Sequence, residues 1–291
     1  MIRKLNLPDG KGRKDPYRGS GRRIPVTVPA LIMLSILMIT CAGEKPLKPT
    51  LYIIGDSTVR NGRGDGRDGL WGWGDYLAGH FDTTRIRVVN RALGGRSSRT
   101  FQTEGRWDRI LEGLKPGDFV MMQFGHNDGG SLNTGRARGS LRGTGEETEE
   151  VIMERDSSLE TVHSYGWYMR KYITDTRKAG ATPIVLSPVP RNMWDEEGKV
   201  IRNSDSYGGW AREAAEQKGA YFIDLNGIIA DKYDQMGPEK VGPAFFPGDH
   251  THTNLAGAKL NAGAVVEGLR MLQDCPLNKF LSDRVAEPAA D

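Results

Sequence analysis

The chain is expected to fold as an α/β domain, a parallel sheet covered by helices on both faces. Five short apolar runs rich in Val, Ile, Phe or Tyr read as strands buried on both sides: Leu51–Ile54, Ile86–Asn90, Phe119–Phe124, Pro183–Ser187 and Tyr221–Leu225. Helical patterns alternate with them, at Trp71–Phe81, Leu159–Ala179, Tyr207–Lys218, Gly227–Met236 and Asn254–Leu272. Gly180 and Gly219 stand where helix-terminating glycines belong, just ahead of a strand. Strand and helix in alternation imply parallel pairing through helical crossovers. No internal repeat is visible.

With 291 residues, 37% hydrophobic and 26% charged, the chain suits one soluble globular domain with an ordinary core. Its formal charge of +3 is concentrated at the start. Residues 1–44 hold eight Lys/Arg and three acids, leaving 32 basic and 34 acidic residues, about −2, for the body. A near-neutral body removes the main support for nucleic-acid binding.

The first 44 residues read as an export signal. A basic segment ending at Arg22-Arg23 precedes the apolar run Ile24–Ile39, then Thr40-Cys41-Ala42-Gly43. The run is shorter than the ~18–20 residues a spanning helix wants, and Pro25 and Pro29 interrupt it. An uncleaved anchor is the blander alternative. Cys41 sits where a lipoprotein carries its lipidated cysteine, and the segment resembles a lipobox in which Met38 and Thr40 replace the usual Leu, Ala or Gly. Cleavage after Ala42 is the other reading. The expected organisation is a signal over 1–44, a catalytic domain over 45–280 and a tail over 281–291. Removal or lipidation of Cys41 leaves Cys275 without an intrachain partner.

In such sheets ligands bind outside the carboxyl ends of the strands. The unusual residues lie there: Gly55-Asp56-Ser57-Thr58 after strand one, Gly94-Gly95-Arg96-Ser97-Ser98 after strand two, and Gly125-His126-Asn127-Asp128 after strand three. Pro188-Val189-Pro190-Arg191-Asn192 follows strand four, and Asp249-His250-Thr251-His252 precedes the last helix. Ser57 is a weak nucleophile unless a base accepts its proton. His252 is a candidate base, and Asp249, three residues earlier, can hold its tautomer and stabilise the imidazolium. The oxyanion formed on attack wants preorganised donors. The Ser57 N–H, a backbone N–H of Gly94-Gly95 and the Asn127 side-chain amide are candidates. Each piece alone has a bland reading as a helix cap, a turn or a chance pairing. Their recurrence at successive strand ends makes the combination the stronger signal.

These segments resemble the blocks of the GDSL/SGNH hydrolases, and more closely the rhamnogalacturonan acetylesterase branch. Gly94-Gly95-Arg96-Ser97-Ser98-Arg99, Gln123-Phe124-Gly125-His126-Asn127-Asp128-Gly129, Asp249-His250-Thr251-His252-Thr253 and Tyr165-Gly166-Trp167-Tyr168 all carry the likeness, which spans roughly residues 49–273. It implies a three-layer, flavodoxin-like SGNH hydrolase fold with a five-stranded parallel sheet. Val59 agrees with that fold, for it stands where a Gly-x-Ser-x-Gly elbow would need its second glycine. The resemblance implies Ser57 as nucleophile, His252 as base and Asp249 as its orienter. It also implies an oxyanion hole of the Ser57 N–H, the Gly95 N–H and Asn127. Gly95 is preferred to Gly94 because it directly precedes Arg-Ser. No cofactor is called for.

Asp56 is expected to brace the turn rather than react, and His250 to be structural or to line a cleft. Arg96, Arg99, His126, Arg191 and Asn192 are candidate substrate contacts, since arginines beside a cleft suit the carboxylates of an acetylated galacturonan. Solvated loop charges are the competing reading. Trp71, Trp73 and Trp194 could stack on sugar rings, with packing against the sheet the likelier fate of the first two. The polar stretch Gly129–Asp156 is long enough to be a cleft wall or lid, or else disordered. The expected partner is acetylated plant cell-wall polysaccharide, with rhamnogalacturonan I first and xylan or another glycan as alternatives. Nucleic acid is not expected, and a membrane only through a lipid at Cys41. The rival classes are a metal-dependent phosphoesterase built on the Asp249–His252 cluster and a non-catalytic polysaccharide-binding lipoprotein. A periplasmic, cell-surface or secreted location follows from the signal.

Overall fold

A computed structural model describes residues 48–66 and 68–282; the export segment, Cys41 and residues 283–291 lie outside them. Among the described residues the elements are β1 Thr50–Gly55, β2 Arg87–Asn90, α1 Ser98–Thr103, α2 Arg106–Leu111, β3 Phe119–Gln123, β4 Thr148–Ile152, β5 Leu159–His163, α3 Tyr165–Lys178, β6 Thr182–Leu186, α4 Tyr207–Lys218, β7 Tyr221–Ile223, α5 Leu225–Met236, α6 Pro238–Phe245 and α7 Leu255–Met271. Five strands form the expected parallel sheet, in the order β2-β1-β3-β6-β7.

The strands alternate cleanly between two cores. Leu51, Ile53, Phe119, Met121, Ile184 and Leu186 face a cluster that takes in Ile229 and Tyr233 of α5 and Val265 and Leu269 of α7. Tyr52, Ile54, Val120, Met122 and Val185 face the opposite cluster, with Trp107 of α2, Tyr172 of α3 and Ala211 of α4. That period of two, with apolar side chains on both faces, makes the strands continuous hydrophobic runs. Three layers result. The chain steps from β1 outward to β2, then back across to β3 on the other side of β1. The order therefore reverses between β1 and β3, where a crevice opens at the carboxyl edge. In register Gly55 pairs with Gln123 and Ile53 with Asn90, so the loops after β1, β2 and β3 leave from one edge.

Two helix expectations are corrected. Trp71–Phe81 holds only 3-10 turns, Trp73–Asp75 and Leu77–His80. Its glycines serve close packing: a Cβ on Gly72 would stand 2.2 Å from the Arg60 nitrogen, and one on Gly74 2.7 Å from Asn90 Nδ2 and the Val59 carbonyl. The helix expected over Leu159–Ala179 begins at Tyr165, where Ser164 caps it by accepting from the Trp167 N–H at 3.1 Å. Leu159–His163 is instead β5, antiparallel to β4. This hairpin orders much of the Gly129–Asp156 stretch over a small core of Ala137, Val151, Met153 and Val162. At the chain's end, Leu281 bridges Phe81 and the Ser282 N–H donates to the His80 carbonyl at 2.9 Å, so the folded body includes the first two residues of the expected tail. Cys275 is buried with a free thiol.

Candidate active site

β1 ends in a tight turn that leaves no room for a side chain at position 55. A Cβ on Gly55 would meet Val59 Cγ2 at 2.6 Å and the Gln123 carbonyl at 2.7 Å. Asp56 is fully buried, and its Oδ1 accepts from both the N–H and the hydroxyl of Thr58 at 2.8 Å. The N–H groups of Val59 and Arg60 donate to the Asp56 carbonyl at 3.2 and 3.1 Å, closing one turn around Ser57. Asp56 is thus a brace. Beneath it, Gln123 donates to the Thr58 hydroxyl at 2.7 Å and accepts from Trp73 Nε1 at 2.9 Å. A further polar network holds the other side: Asp75 accepts from Arg60, from the Asn61 N–H and from Asn90 Nδ2 at 3.1, 2.7 and 3.0 Å.

The base arrives from the far end of the chain. Thr253 docks on Trp71 by two bonds, its carbonyl accepting from the Trp71 N–H at 3.0 Å and its hydroxyl donating to the Trp71 carbonyl at 3.1 Å. This puts His252 Nε2 2.8 Å from Ser57 Oγ. On the ring's other side, Nδ1 lies 2.7 Å from Asp249 Oδ2. A proton on Nδ1 leaves Nε2 as the acceptor for the serine hydroxyl. Asp249 Oδ1 meanwhile accepts from the N–H groups of Thr251 and His252 at 2.6 and 2.7 Å. Burial pushes the Asp249 carboxyl up, but these bonds and the imidazole outweigh it and hold the pKa down at about 2. Asp249 is therefore ionised wherever a neutral imidazole can act as base.

Ser57 and His252 open into a cleft of about 710 Å³ whose wall includes Gly94, Gly95, His126, Asn127 and Arg191. Gly94 approaches closely, since a Cβ there would lie 3.5 Å from Ser57 Cβ. Gly95 has φ of +79°, the left-handed region that favours glycine. Asn127 donates one amide hydrogen to the Arg96 carbonyl at 2.8 Å, which fixes the side chain and leaves a second hydrogen. The next residue, Asp128, is buried and accepts from the Ser98 N–H at 3.1 Å, from its hydroxyl, and from the Ser140 hydroxyl at 3.2 Å. Burial drives its pKa up to about 7 against those donors.

Among the candidate substrate contacts, His126 and Arg191 do line the cleft. The His126 pKa is lowered by burial, partly offset by Asp56, and its Nε2 is buried without a hydrogen-bond partner. The other three point elsewhere. Arg99 is 0% exposed, bonding Glu160 and the carbonyls of Leu132 and Gly139, each at 2.8 Å. It ties α1 to the hairpin segment and is a structural residue. Arg96 turns to Glu104 at 3.0 Å and to the Gly94 carbonyl at 3.0 Å. Asn192 accepts from Trp194 Nε1 at 2.8 Å and stands off the cleft wall. His250 is exposed, its carbonyl taking the Asn192 N–H at 2.8 Å. Among the described residues no three His, Cys, Asp or Glu side chains converge as metal ligands.

Residues 53–260 match the GDSL-like lipase/acylhydrolase family. The chain belongs to that family. Within it the relatives point to the rhamnogalacturonan acetylesterase branch. The chain is 34% identical to the rhamnogalacturonan acetylesterase of Emericella nidulans over 240 residues, 82% of this chain and 90% of the relative. It is 31% identical over 226 residues to the probable rhamnogalacturonan acetylesterase YesY of Bacillus subtilis, covering 76% of this chain and 93% of the other. Among solved structures it is similar to YxiM of Bacillus subtilis, with TM-score 0.63 and 27% identity over 78% of this chain and 58% of that one. The acetylxylan esterase Axe2 of Geobacillus stearothermophilus shares the fold, with TM-score 0.53 at 20% identity over 76% of this chain and 94% of its own. The chain is a carboxylic ester hydrolase of the GDSL type.

Proposed function

We propose that this enzyme is a serine carbohydrate esterase that removes acetyl groups from pectic polysaccharide, with rhamnogalacturonan I as its substrate. The observation that carries the reading is the relay of Asp249, His252 and Ser57, with links of 2.7 and 2.8 Å at the mouth of an open cleft. The kinship with rhamnogalacturonan acetylesterases supports the choice of ester and polymer. In the reaction His252 Nε2 takes the Ser57 proton as Oγ attacks the acetyl carbonyl. The oxyanion is received by the N–H groups of Ser57 and Gly95 and by the second amide hydrogen of Asn127. Collapse expels the sugar alkoxide, which takes the proton from His252. Water, deprotonated by His252, then attacks the acetyl-enzyme, and acetate leaves as Ser57 recovers its proton. The basic segment and apolar run before Cys41 support export of the enzyme, with Cys41 as a candidate site for a lipid anchor and cleavage after Ala42 as the other reading.

Ser57→Ala should lower kcat by roughly 10³–10⁶ with the fold intact; near-normal turnover would sink the assignment. Acetate release measured across rhamnogalacturonan, homogalacturonan, xylan and mannan tests the polymer, and equal rates on all four defeat the pectic reading. For the anchor, the full chain expressed in a bacterium should partition with membranes while Cys41→Ser does not. Identical partitioning of the two argues against lipidation.

A further inference from the structure

The segment after Asn127 brings two arginines into the cleft for which the proton relay has no use. Arg136 makes no hydrogen bond or ion pair among the described residues, and Arg138 makes one long bond, Nη1 to the Gly95 carbonyl at 3.5 Å. Both guanidinium groups converge on Gly95: a Cβ there would lie 3.7 Å from Nη1 of each. Most other cleft-side and interior arginines are matched with acids, as Arg60 is with Asp75, Arg96 with Glu104 and Arg99 with Glu160. Neither member of this pair has an ion-pair partner among the described residues. Burial lowers the Arg138 pKa and Arg136 lowers it further, while Asp56 and Asp128 pull it up from the interior without bonding it.

The backbone between the two is held in a conformation that side chains seldom adopt. Ala137 has φ of +44° and is 4% exposed, packed with Val151, Met153 and Val162 of the hairpin core. Its N–H donates to the Thr134 carbonyl and the Gly139 N–H to the Ser131 carbonyl, both at 2.9 Å. Ala137 thus anchors the segment inward while its neighbours stand over the cleft. Two forked donor groups, carried on an anchored backbone and bonded to no acid, match a planar carboxylate.

We propose that Arg136 and Arg138 form a carboxylate clamp beside the nucleophile, so that the enzyme selects acetyl esters carried on or next to a uronic acid. This rests on the reading of the site as an acetylesterase of acidic polysaccharide, and it names the residues that recognise the acid. A carboxylate between the guanidinium groups relieves their mutual repulsion and holds the sugar ring over Gly95, within reach of Ser57.

The test uses hydrolysis of 4-nitrophenyl acetate by the full chain, inhibited by digalacturonate or by its neutral counterpart galactobiose. Digalacturonate should inhibit at least ~10-fold more tightly than galactobiose in the wild type. In the double variant Arg136→Gln/Arg138→Gln its inhibition constant should rise roughly 10–100-fold, with that of galactobiose unmoved. The Arg→Lys pair, which keeps charge but not the fork, should fall between. Equal inhibition by the two disaccharides in the wild type would overturn the clamp. So would a selectivity that survives in the Gln variant, or a loss confined to kcat on 4-nitrophenyl acetate, which would make the arginines oxyanion donors. No polysaccharide is turned over in this measurement. Failure to release acetate from pectin therefore strikes the proposed substrate, while the clamp is judged on inhibition alone.

Discussion

Two carboxyl groups near the site show how environment divides one chemistry. Asp249 has its pKa depressed to about 2, burial being outweighed by the imidazole and two backbone N–H groups. A depressed carboxyl adds stability above its unfolded value, lost as pH falls from ~4 towards 2. Asp128 is raised to about 7, chiefly by burial. Between ~4 and 7 the folded protein then holds a proton there that the unfolded chain has released, so its contribution to stability falls as pH rises through that window. The excess in melting temperature of wild type over Asp128→Asn should accordingly shrink from pH 4 to pH 7. An excess that grows instead would contradict the assignment. At this scale the sequence was legible in which side chains the strand-end loops bring together, as with Ser57, His252 and Asp249. It was not legible where direction decides. Arg96, Arg99 and Arg191 all follow strands, yet only Arg191 turns into the cleft, because acids at Glu104 and Glu160 capture the others. Those partners lie 8 and 61 residues away, and nothing local announces them.

Among the elements, the strands were readable because burial on both faces makes each a short continuous apolar run. The helices from Tyr207, Leu225 and Leu255 were readable because they are long and carry caps. The hairpin was not. Its strands show no clean apolar alternation, with Thr148, Glu149 and Glu150 exposed beside exposed Ile152 and Leu159, and its core is only a handful of side chains. Arg99 is what attaches it to α1, so Arg99→Met should leave Glu160 and two carbonyls without their donor. A loss of about 3 kcal/mol in chemical denaturation is expected, with faster proteolysis inside residues 129–156. An unchanged midpoint with unchanged cleavage would show that the hairpin holds itself.

Across the folded body, the sheet order sets β1 between β2 and β3, so the loops carrying Gly95 and Asn127 flank the turn that carries Ser57. The alternation of strand and helix implied a parallel sheet with helices on both faces, and the five strands and three layers are found as expected. The strand order itself comes from the structure. What alternation could not convey is how the last loop reaches the first. That closure is made by Thr253 on Trp71, a pairing across 182 residues.

The proposed nucleophile and base are separated by 195 positions, one in the turn after β1 and the other on the loop before α7. On the ribosome, Ser57 exists as an ordinary alcohol for most of the chain's synthesis, and reactivity appears only when the final fifth folds back onto the beginning. On the proposed mechanism the relay forms only once the loop before α7 has docked, and a chain interrupted before Asp249 should lose nearly all ester hydrolysis. Turnover of a chromogenic acetate should therefore report the fraction of chains in which the loop carrying His252 has docked on the turn carrying Ser57.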